Sequence, residues 1–354
     1  MAKIKDRRDL LVKVARQYYD EQRTKANIAA DLGVSATYVA LLLKEAVDKH
    51  IVEIRIQPPP DLAEPLDALV RDKFGLKEVI IVEGGKYLQV CENVGAAAAN
   101  YFDRNVQNGS QIAISGGTSI LRMIERIKHP KLLTIFPTAI ASRGPLITHA
   151  DSYALVTNLI FKSEATSQAH GILCPPASKS HTFKKDNVIA AIQQLESERQ
   201  ELLQANEHIA GLYEEMERTD YDFIFLACGP VRTMYNTETL LTSLEARGLS
   251  RLTIESVDIV ANVNYWLVDA TLTHRLTPFI AIKLEKFQSQ VKNGRKVVLV
   301  AGSTFKVTPI WIHLVHKLCN VLITDRETAL ELLKLPSEPP KTVNVAARRS
   351  RDTL

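Results

Sequence analysis

The chain has 354 residues, more than one ordinary core accommodates and enough for a small domain beside a large one. Its 46% hydrophobic and 24% charged residues are the balance of a globular chain, which excludes a disordered or fibrous polymer, and no apolar run reaches the roughly 18–20 residues of a membrane span. A net charge of +4 is too small to demand a polyanionic partner, yet residues 1–57 hold eleven Lys and Arg against eight Asp and Glu, so most of the excess sits at the N-terminal end.

The opening MAKIKDRRDLLVKVARQYY lacks an apolar signal core, so the chain reads as cytoplasmic, with no membrane partner. Leu10, Leu11, Val14, Ala15 and Tyr18 recur at helical spacing and predict an amphipathic helix from Arg7 to Glu21. Thr24 offers an N-cap hydroxyl for a short second helix with Ile28, Ala29 and Leu32, Gly33 supplies a turn, and Ser35 caps a third helix whose inward face is Val39, Leu42, Leu43 and Ala46. This is helix-turn-helix spacing: Ala29 is small where the third helix crosses, and Gly33 tolerates positive φ. The other reading of the same pattern is a three-helix bundle that binds protein or nothing. As a helix-turn-helix, Ser35 to Lys44 is the recognition helix, with Ala36, Thr37, Tyr38, Ala40 and Leu41 near base edges and Thr24, Lys25 and Lys44 beside the backbone of a double-stranded DNA operator. Val52, Ile54 and Ile56 alternate with Glu53 and Arg55 as a short wing strand, and the three prolines ending at Pro60 close the domain.

Leu62, Leu66, Leu69 and Val70 predict a linker helix. Apolar runs then follow at Val79–Val82, Ile112–Ile114, Leu132–Phe136, Phe223–Ala227, Phe279–Ile282, Val297–Val300 and Val321–Ile323, most of them separated by helical patterns. That alternation predicts an α/β domain with a parallel sheet covered on both faces. The expected organisation is a helix-turn-helix domain at 1–57, a linker and linker helix at 58–77, an effector domain at 78–335, and a disordered tail at 336–354 carrying Arg348, Arg349 and Arg351.

Ligands of such sheets bind beyond the carboxyl ends of strands. Ser115, Gly116, Gly117, Thr118 and Ser119 follow one strand and open a helix, an arrangement of backbone N–H groups and hydroxyls that suits a phosphate. Gly229 follows another strand. Gly302, Ser303 and Thr304 follow a third, with Lys306 as a cationic partner. A single glycine-rich turn serves geometry alone as often as binding; two with this chemistry favour an anion site. Arg143, His149 and Asp151 follow the LLTIF strand, within reach of the pocket or merely solvated. Asp258, in an otherwise apolar stretch, is either a ligand acceptor or the anchor of a local turn. Asp186 to Arg218 carries Val188, Leu195, Leu202, Ile209 and Met216 every seventh residue, a seam that packs on its own sheet or on a second copy, the former favoured. Cys91, Cys174, Cys228 and Cys319 form no CxxC pair, and neither metal nor cofactor is expected.

The stretch ARQYYDEQRTKANIAADLGVSATYVALLLKEAVDKHIVEIRI resembles the SorC family of bacterial sugar-operon transcriptional regulators, and SGGTSI, SVDIV, VAGSTFK and ITDRETALELL extend the likeness over most of the chain. The resemblance implies an effector domain built like sugar-phosphate isomerases and deaminases, a phosphorylated sugar-like effector, a role for Asp258 toward sugar hydroxyls, and a homo-oligomer, dimer or tetramer. Ala36 and Leu41 stand where the family usually carries arginines. The function expected is a DNA-binding regulator whose operator binding responds to a small phosphorylated sugar or related metabolite. The alternative is a sugar-phosphate isomerase or deaminase with a fused DNA-binding domain, for which Asp258 is the one candidate base. A nucleotide-binding scaffold is disfavoured because neither loop has P-loop or G-x-G-x-x-G order.

Overall fold

The computed structural model describes residues 7–21, 23–49, 51–52, 65–140, 151–171, 182–183, 186–231 and 238–341. The chain divides into two units, Met1–Leu62 and Ala63–Leu354.

In the first unit α1 (Arg7–Ala15) runs on into one π-helical turn, Arg16–Asp20, and α2 (Lys25–Leu32) and α3 (Ala36–Asp48) follow. Both later starts are capped: Thr24 Oγ1 accepts the N–H of Asn27 at 3.2 Å and Ser35 Oγ that of Tyr38 at 3.1 Å, each cap contributing about 1 kcal/mol. Gly33 takes φ 65° and ψ 34°, and a Cβ there would meet nothing within 4 Å, so conformation and not crowding selects glycine. The chain bends by 103° between α2 and α3, within the range of a helix-turn-helix. Leu11, Val14, Ile28, Ala29, Val39, Leu42, Leu43 and Ala46 form its core. At the expected wing, Ile51 and Val52 form a bend that packs on this core, both N–H groups donating to the Ala46 carbonyl. Ile54, Ile56 and the linker up to residue 64 lie outside the described residues.

The second unit begins with α4 (Leu66–Phe74), β1 (Glu78–Val82), α5 (Tyr87–Asn105), β2 (Ser110–Ile114), α6 (Thr118–Arg126), β3 (Leu133–Pro137), β4 (Ala139–Ile140), α7 (Ser152–Ile160) and β5 (Gln168–Ala169). It continues with α8 (Val188–Ala205), α9 (Glu207–Arg218), β6 (Phe223–Leu226), β7 (Cys228–Pro230), α10 (Glu238–Glu245), α11 (Arg251–Ser256), β8 (Ile259–Val263) and β9 (Trp266–Asp269). It ends with β10 (Arg275–Leu276), β11 (Ile280–Ala281), α12 (Leu284–Lys292), β12 (Lys296–Val300), α13 (Val307–Val315), β13 (Val321–Asp325) and α14 (Arg326–Leu332).

Seven strands form a parallel sheet in the order β1-β13-β12-β6-β2-β3-β5. Its central strands are buried on both faces. Ala113, Val297 and Leu299 point into one hydrophobic cluster and Ile112, Ile114, Val298 and Val300 into the other, the period-two alternation of a strand sandwiched between helix layers. The winding runs from β2 outward to β3 and β5, then returns at β6 and leaves in the opposite direction through β12 and β13. Neighbouring β2 and β6 are therefore the point where strand order reverses, the place where open α/β sheets bind ligands.

Three expectations need correction. Phe279–Ile282 does not join the parallel sheet; flanked by Pro278 and the start of α12, only Ile280 and Ala281 are strand, antiparallel to β4. Cys228-Gly229-Pro230 is a strand and not a loop, the edge of a four-stranded antiparallel sheet in the order β10-β9-β8-β7. Leu69 is 38% exposed, whereas Val70 and Phe74 carry the buried face of α4.

The Asp186–Arg218 seam packs within its own unit. Asn206 breaks it into α8 and α9 and caps the latter, its Oδ1 accepting the N–H of Ile209 at 3.0 Å. Val188 and Leu195 enter a third cluster with α10 and α11, and Ile209, Leu212 and Met216 enter the core beneath the main sheet. Cys91, Cys228 and Cys319 are buried free thiols, and Cys174 lies outside the described residues. Of the expected tail, Pro336 is held by a hydrogen bond from Trp311 Nε1 to its carbonyl at 2.7 Å, while residues 342–354 are outside the described set.

Candidate functional site

On the first unit, Ala36, Thr37, Leu41 and Lys44 are exposed along one side of α3, and Ala40 is half-buried between them. This face is methyl-rich, suited to thymine methyl contact, with the Thr37 hydroxyl and Lys44 ammonium as its polar groups. Tyr38 is 37% exposed and already engaged: its hydroxyl accepts from Arg7 Nη1 at 2.6 Å, while Arg7 Nη2 pairs with Glu45 at 2.6 Å. Arg7 and Lys49 hold the Glu45 carboxyl down at about 2, so this link between α1 and α3 stays charged at neutral pH. Thr24 and Ser35 are exposed residues whose hydroxyls serve as helix caps, and the Lys25 ammonium lies 5.6 Å from the Tyr18 ring centroid.

On the second unit, the carboxyl ends of β2, β6 and β12 come together at the reversal point. Ser115 is buried and spends its hydroxyl on shape: Oγ accepts the Ala227 N–H at 2.9 Å and donates to the Gly116 carbonyl at 3.2 Å, fastening the end of β2 to the end of β6. Gly117 has φ 145°, and a Cβ there would stand 2.6 Å from Ala227 Cβ, so both conformation and space require glycine. It leads into α6, whose first-turn N–H groups, from Thr118 to Ile120, have no preceding helical carbonyl to bond. Ser119 Oγ is buried there without a partner.

The β12 loop is built against Asp325, the cap of α14. One Asp325 oxygen accepts the Ser303 N–H and the Thr328 hydroxyl, and the other accepts the Thr328 N–H at 3.1 Å. A Cβ on Gly302 would lie 2.4 Å from that carboxylate, and Ser303 adopts φ 92°. Thr304 is exposed at the start of a 3-10 turn that leads into α13. Lys306 ends this turn and is only 6% exposed, its ammonium 5.3 Å from the Tyr87 ring centroid and in no ion pair with any described carboxylate. Burial pushes the Cys228 thiol up to about 12, opposed by the nearby Lys306 charge, and the Thr304–Lys306 turn packs against β7.

Ser115 to Ser119 and Lys306 thus converge on the Ala227–Cys228 segment. Gly229 stands next to them, paired with Asn262 of the second sheet. Asp258 has a different setting: it occupies the turn from α11 into β8 at φ 56°, its N–H on the Glu255 carbonyl at 3.1 Å. Arg143 and His149 are outside the described residues; Asp151 caps α7 by accepting the Ala154 N–H at 2.8 Å. The residues that sequence reasoning missed are Thr138, Asn264 and Tyr265, which border the Ser115–Gly117 loop, and Asp325, which shapes the other one. Only the Asn264-Tyr265 pair had a local signal, a turn-forming Asn between two apolar runs. Among the described residues no group of three or more His, Cys, Asp or Glu is placed to hold a metal ion, and no single helix is long and apolar enough to cross a membrane.

A helix-turn-helix unit and a parallel α/β unit lie in one chain, the organisation expected of a ligand-responsive transcriptional regulator. Comparison with known proteins agrees. Residues 62–185 match the family described as "Putative sugar-binding domain". The chain is 23% identical over 335 residues to the deoxyribonucleoside regulator of Bacillus subtilis, covering 93% of this chain and 98% of that one. It is equally 23% identical over 334 residues to the sorbitol operon regulator of Klebsiella pneumoniae, with 92% and 98% covered. The crystal structure of that full-length regulator superposes with a TM-score of 0.58 at 21% identity over 92% of this chain and 98% of that one. The curated relatives and the full-length structural neighbour are named as regulators, and the likeness, which spans more than nine-tenths of this chain, shows that it shares their fold.

Proposed function

We propose that residues 1–57 bind a double-stranded DNA operator and that a small phosphorylated sugar or related metabolite, bound within residues 78–335, modulates that binding. The carrying observation is Lys306: a lysine only 6% exposed as a residue and in no ion pair with any described carboxylate, in the loop after β12, near the reversal point of a parallel sheet. Burying an unpaired cation is costly, and a phosphate group would complete it. The Thr118 and Ser119 N–H groups, the Thr304 hydroxyl and Lys306 hold the anion. Ser115, Gly116, Gly117, Gly302 and Ser303 shape the loops, and Gly229 and Asp258 border the second sheet.

On DNA, affinity comes from phosphate neutralisation by Lys25 and Lys44, and preference from the Ala36, Thr37, Tyr38 and Ala40 face. The regulator acts in the cytoplasm as a homo-oligomer, dimer or tetramer, whose paired heads match two half-sites. The effector needs differential affinity for two states of that assembly. A gel shift on the DNA upstream of its own gene, at two salt concentrations and with a panel of sugar phosphates, tests this: at least one member changes the midpoint. Binding that is indifferent to every phosphorylated sugar removes the effector half of the reading; absence of binding removes the other half.

A further inference from the structure

The exposed side of α3 offers a duplex few polar side chains: the Thr37 hydroxyl, the Lys44 ammonium and the Tyr38 phenol. The phenol is the one whose hydrogen-bonding sense another helix sets. Tyr38 and Glu45 stand about two helical turns apart on α3, and Arg7, the first residue of α1, reaches across to both. Arg7 Nη2 donates to Glu45 Oε2 at 2.6 Å and Nε to Oε1 at 3.5 Å, while Nη1 donates to the Tyr38 oxygen at 2.6 Å. The guanidinium carbon also lies 5.8 Å from the centre of the Tyr38 ring. Lys49 grips the same carboxylate at 2.9 Å, so Glu45 stays ionised and Arg7 keeps its anchor.

A phenol oxygen both donates and accepts, and in water its O–H turns to suit whichever partner arrives. Arg7 removes that choice. A guanidinium carries N–H groups and no acceptor, so the Tyr38 oxygen must accept from it, and the phenol's own proton turns away from Arg7. Tyr38 is 37% exposed, which leaves that proton open to a partner from outside the unit. Guanine, thymine and adenine show acceptor atoms in the major groove, cytosine shows an amino donor there, and phosphate oxygens only accept. A hydroxyl that can only donate suits the acceptors and leaves an amino group unpaired.

We propose that Arg7 of the first helix sets the polarity of the recognition face by holding the Tyr38 phenol as a donor-only group, which takes a hydrogen-bond acceptor of the duplex and rejects an amino group. Arg7 is then a positioning residue that acts through Tyr38 and spends its own charge on Glu45. The inference rests on the DNA-binding reading above and adds the chemistry of one contact and the residue that controls it.

The test is enrichment of a randomised duplex pool by the full chain, then anisotropy titration of the enriched duplex and its single-base-pair variants. Wild type, Tyr38→Phe, Arg7→Met and the double variant are compared; neither residue belongs to the core of this unit. Wild type is expected to favour an acceptor-bearing base at one position by about fivefold, the worth of one hydrogen bond. Tyr38→Phe loses that preference. Arg7→Met keeps the hydroxyl but frees it to accept, so cytosine becomes tolerated at the same position, and in the Tyr38→Phe background it changes nothing further. If the acceptor is a phosphate, Tyr38→Phe instead weakens every sequence by about fivefold and Arg7→Met by less, again with no added effect in the double variant. The salt slope is unaltered in both cases, because the Arg7 charge is already matched by Glu45. Tyr38→Phe that equals wild type on every sequence overturns the proposal. So does an Arg7→Met effect that is as large in the Tyr38→Phe background, which makes Arg7 a direct DNA contact or a support of the fold. Wild type that binds no duplex removes the DNA-binding reading and the proposal together; wild type that binds while the variants behave identically removes the proposal alone.

Discussion

Lys306→Met separates a binding cation from a structural one, because the two roles predict opposite signs. The residue is 6% exposed, its ammonium lies 5.3 Å from the Tyr87 ring centroid, and it forms no ion pair with any described carboxylate. Holding an unpaired cation out of water carries a penalty of several kcal/mol, of which the ring contact returns about 1–2. Met fills nearly the same volume without a charge. The free variant should therefore match wild type or exceed it by about 1–3 kcal/mol. In a domain of this size each kcal/mol moves the melting temperature by about 2–4 °C. Ligand at a hundredfold excess over its Kd stabilises by about 2.7 kcal/mol. Wild type should thus gain about 5–10 °C from the effective sugar phosphate, and Lys306→Met should gain nothing. Scanning calorimetry with and without ligand reads both numbers. A variant that melts several degrees below wild type and still shows the full ligand shift would refute the assignment and make Lys306 part of the scaffold.

Gly117→Ala places a methyl 2.6 Å from Ala227 Cβ at φ 145°, so it should cost about 1–3 kcal/mol and abolish the sugar-phosphate response; an unaltered response in gel shifts would show that the loop tolerates displacement. Thr37→Ala should relax operator preference, whereas Lys44→Ala should weaken binding to all sequences alike and reduce the salt slope by about 1, both measurable by anisotropy titration. Burial lowers His313 to about 4 from 6.5, so the imidazole is neutral in the fold and protonation favours the unfolded chain. Its contribution is complete above pH 6.5 and falls by about 3 kcal/mol as pH drops to 4. Urea unfolding across that range should show this loss, with His316, also lowered by burial, acting in the same direction. A His313→Leu protein with an equally steep limb would assign the loss to other groups.

The first unit was legible almost residue by residue because its causes are local. A cap hydroxyl acts three residues away, Gly33 answers to its own φ, and the inward face of α3 repeats at helical spacing. The parallel sheet was legible for a similar reason: a strand covered on both faces must be largely apolar, and β1, β2, β3, β6, β12 and β13 each carry a run of three or more consecutive apolar residues. The antiparallel sheet was not. In β8 the residues Ile259, Ala261 and Val263 are buried and Val260 and Asn262 half-buried, but Val260 is itself apolar, so the five letters show no clear alternation. The two-residue pieces β4, β5 and β11 carry too few residues for any period to register.

The site itself was half legible, and the missing half has a physical reason. S-G-G-T-S and G-S-T-x-K name groups that suit a phosphate, yet several of those groups are consumed by distant partners. Ser115 Oγ is bonded to Ala227, 112 residues away, and the Ser303 N–H to Asp325, 22 residues away. A serine that builds a loop and a serine that grips a ligand are the same letter in a motif; what separates them is whether a protein atom already fills the bond. Subtracting the filled bonds leaves the Thr118 and Ser119 N–H groups, Thr304 and Lys306 for an anion. The proposed anion is thus argued from what the protein leaves unsatisfied in itself, a lysine with no described carboxylate partner beside polar groups that no protein atom engages.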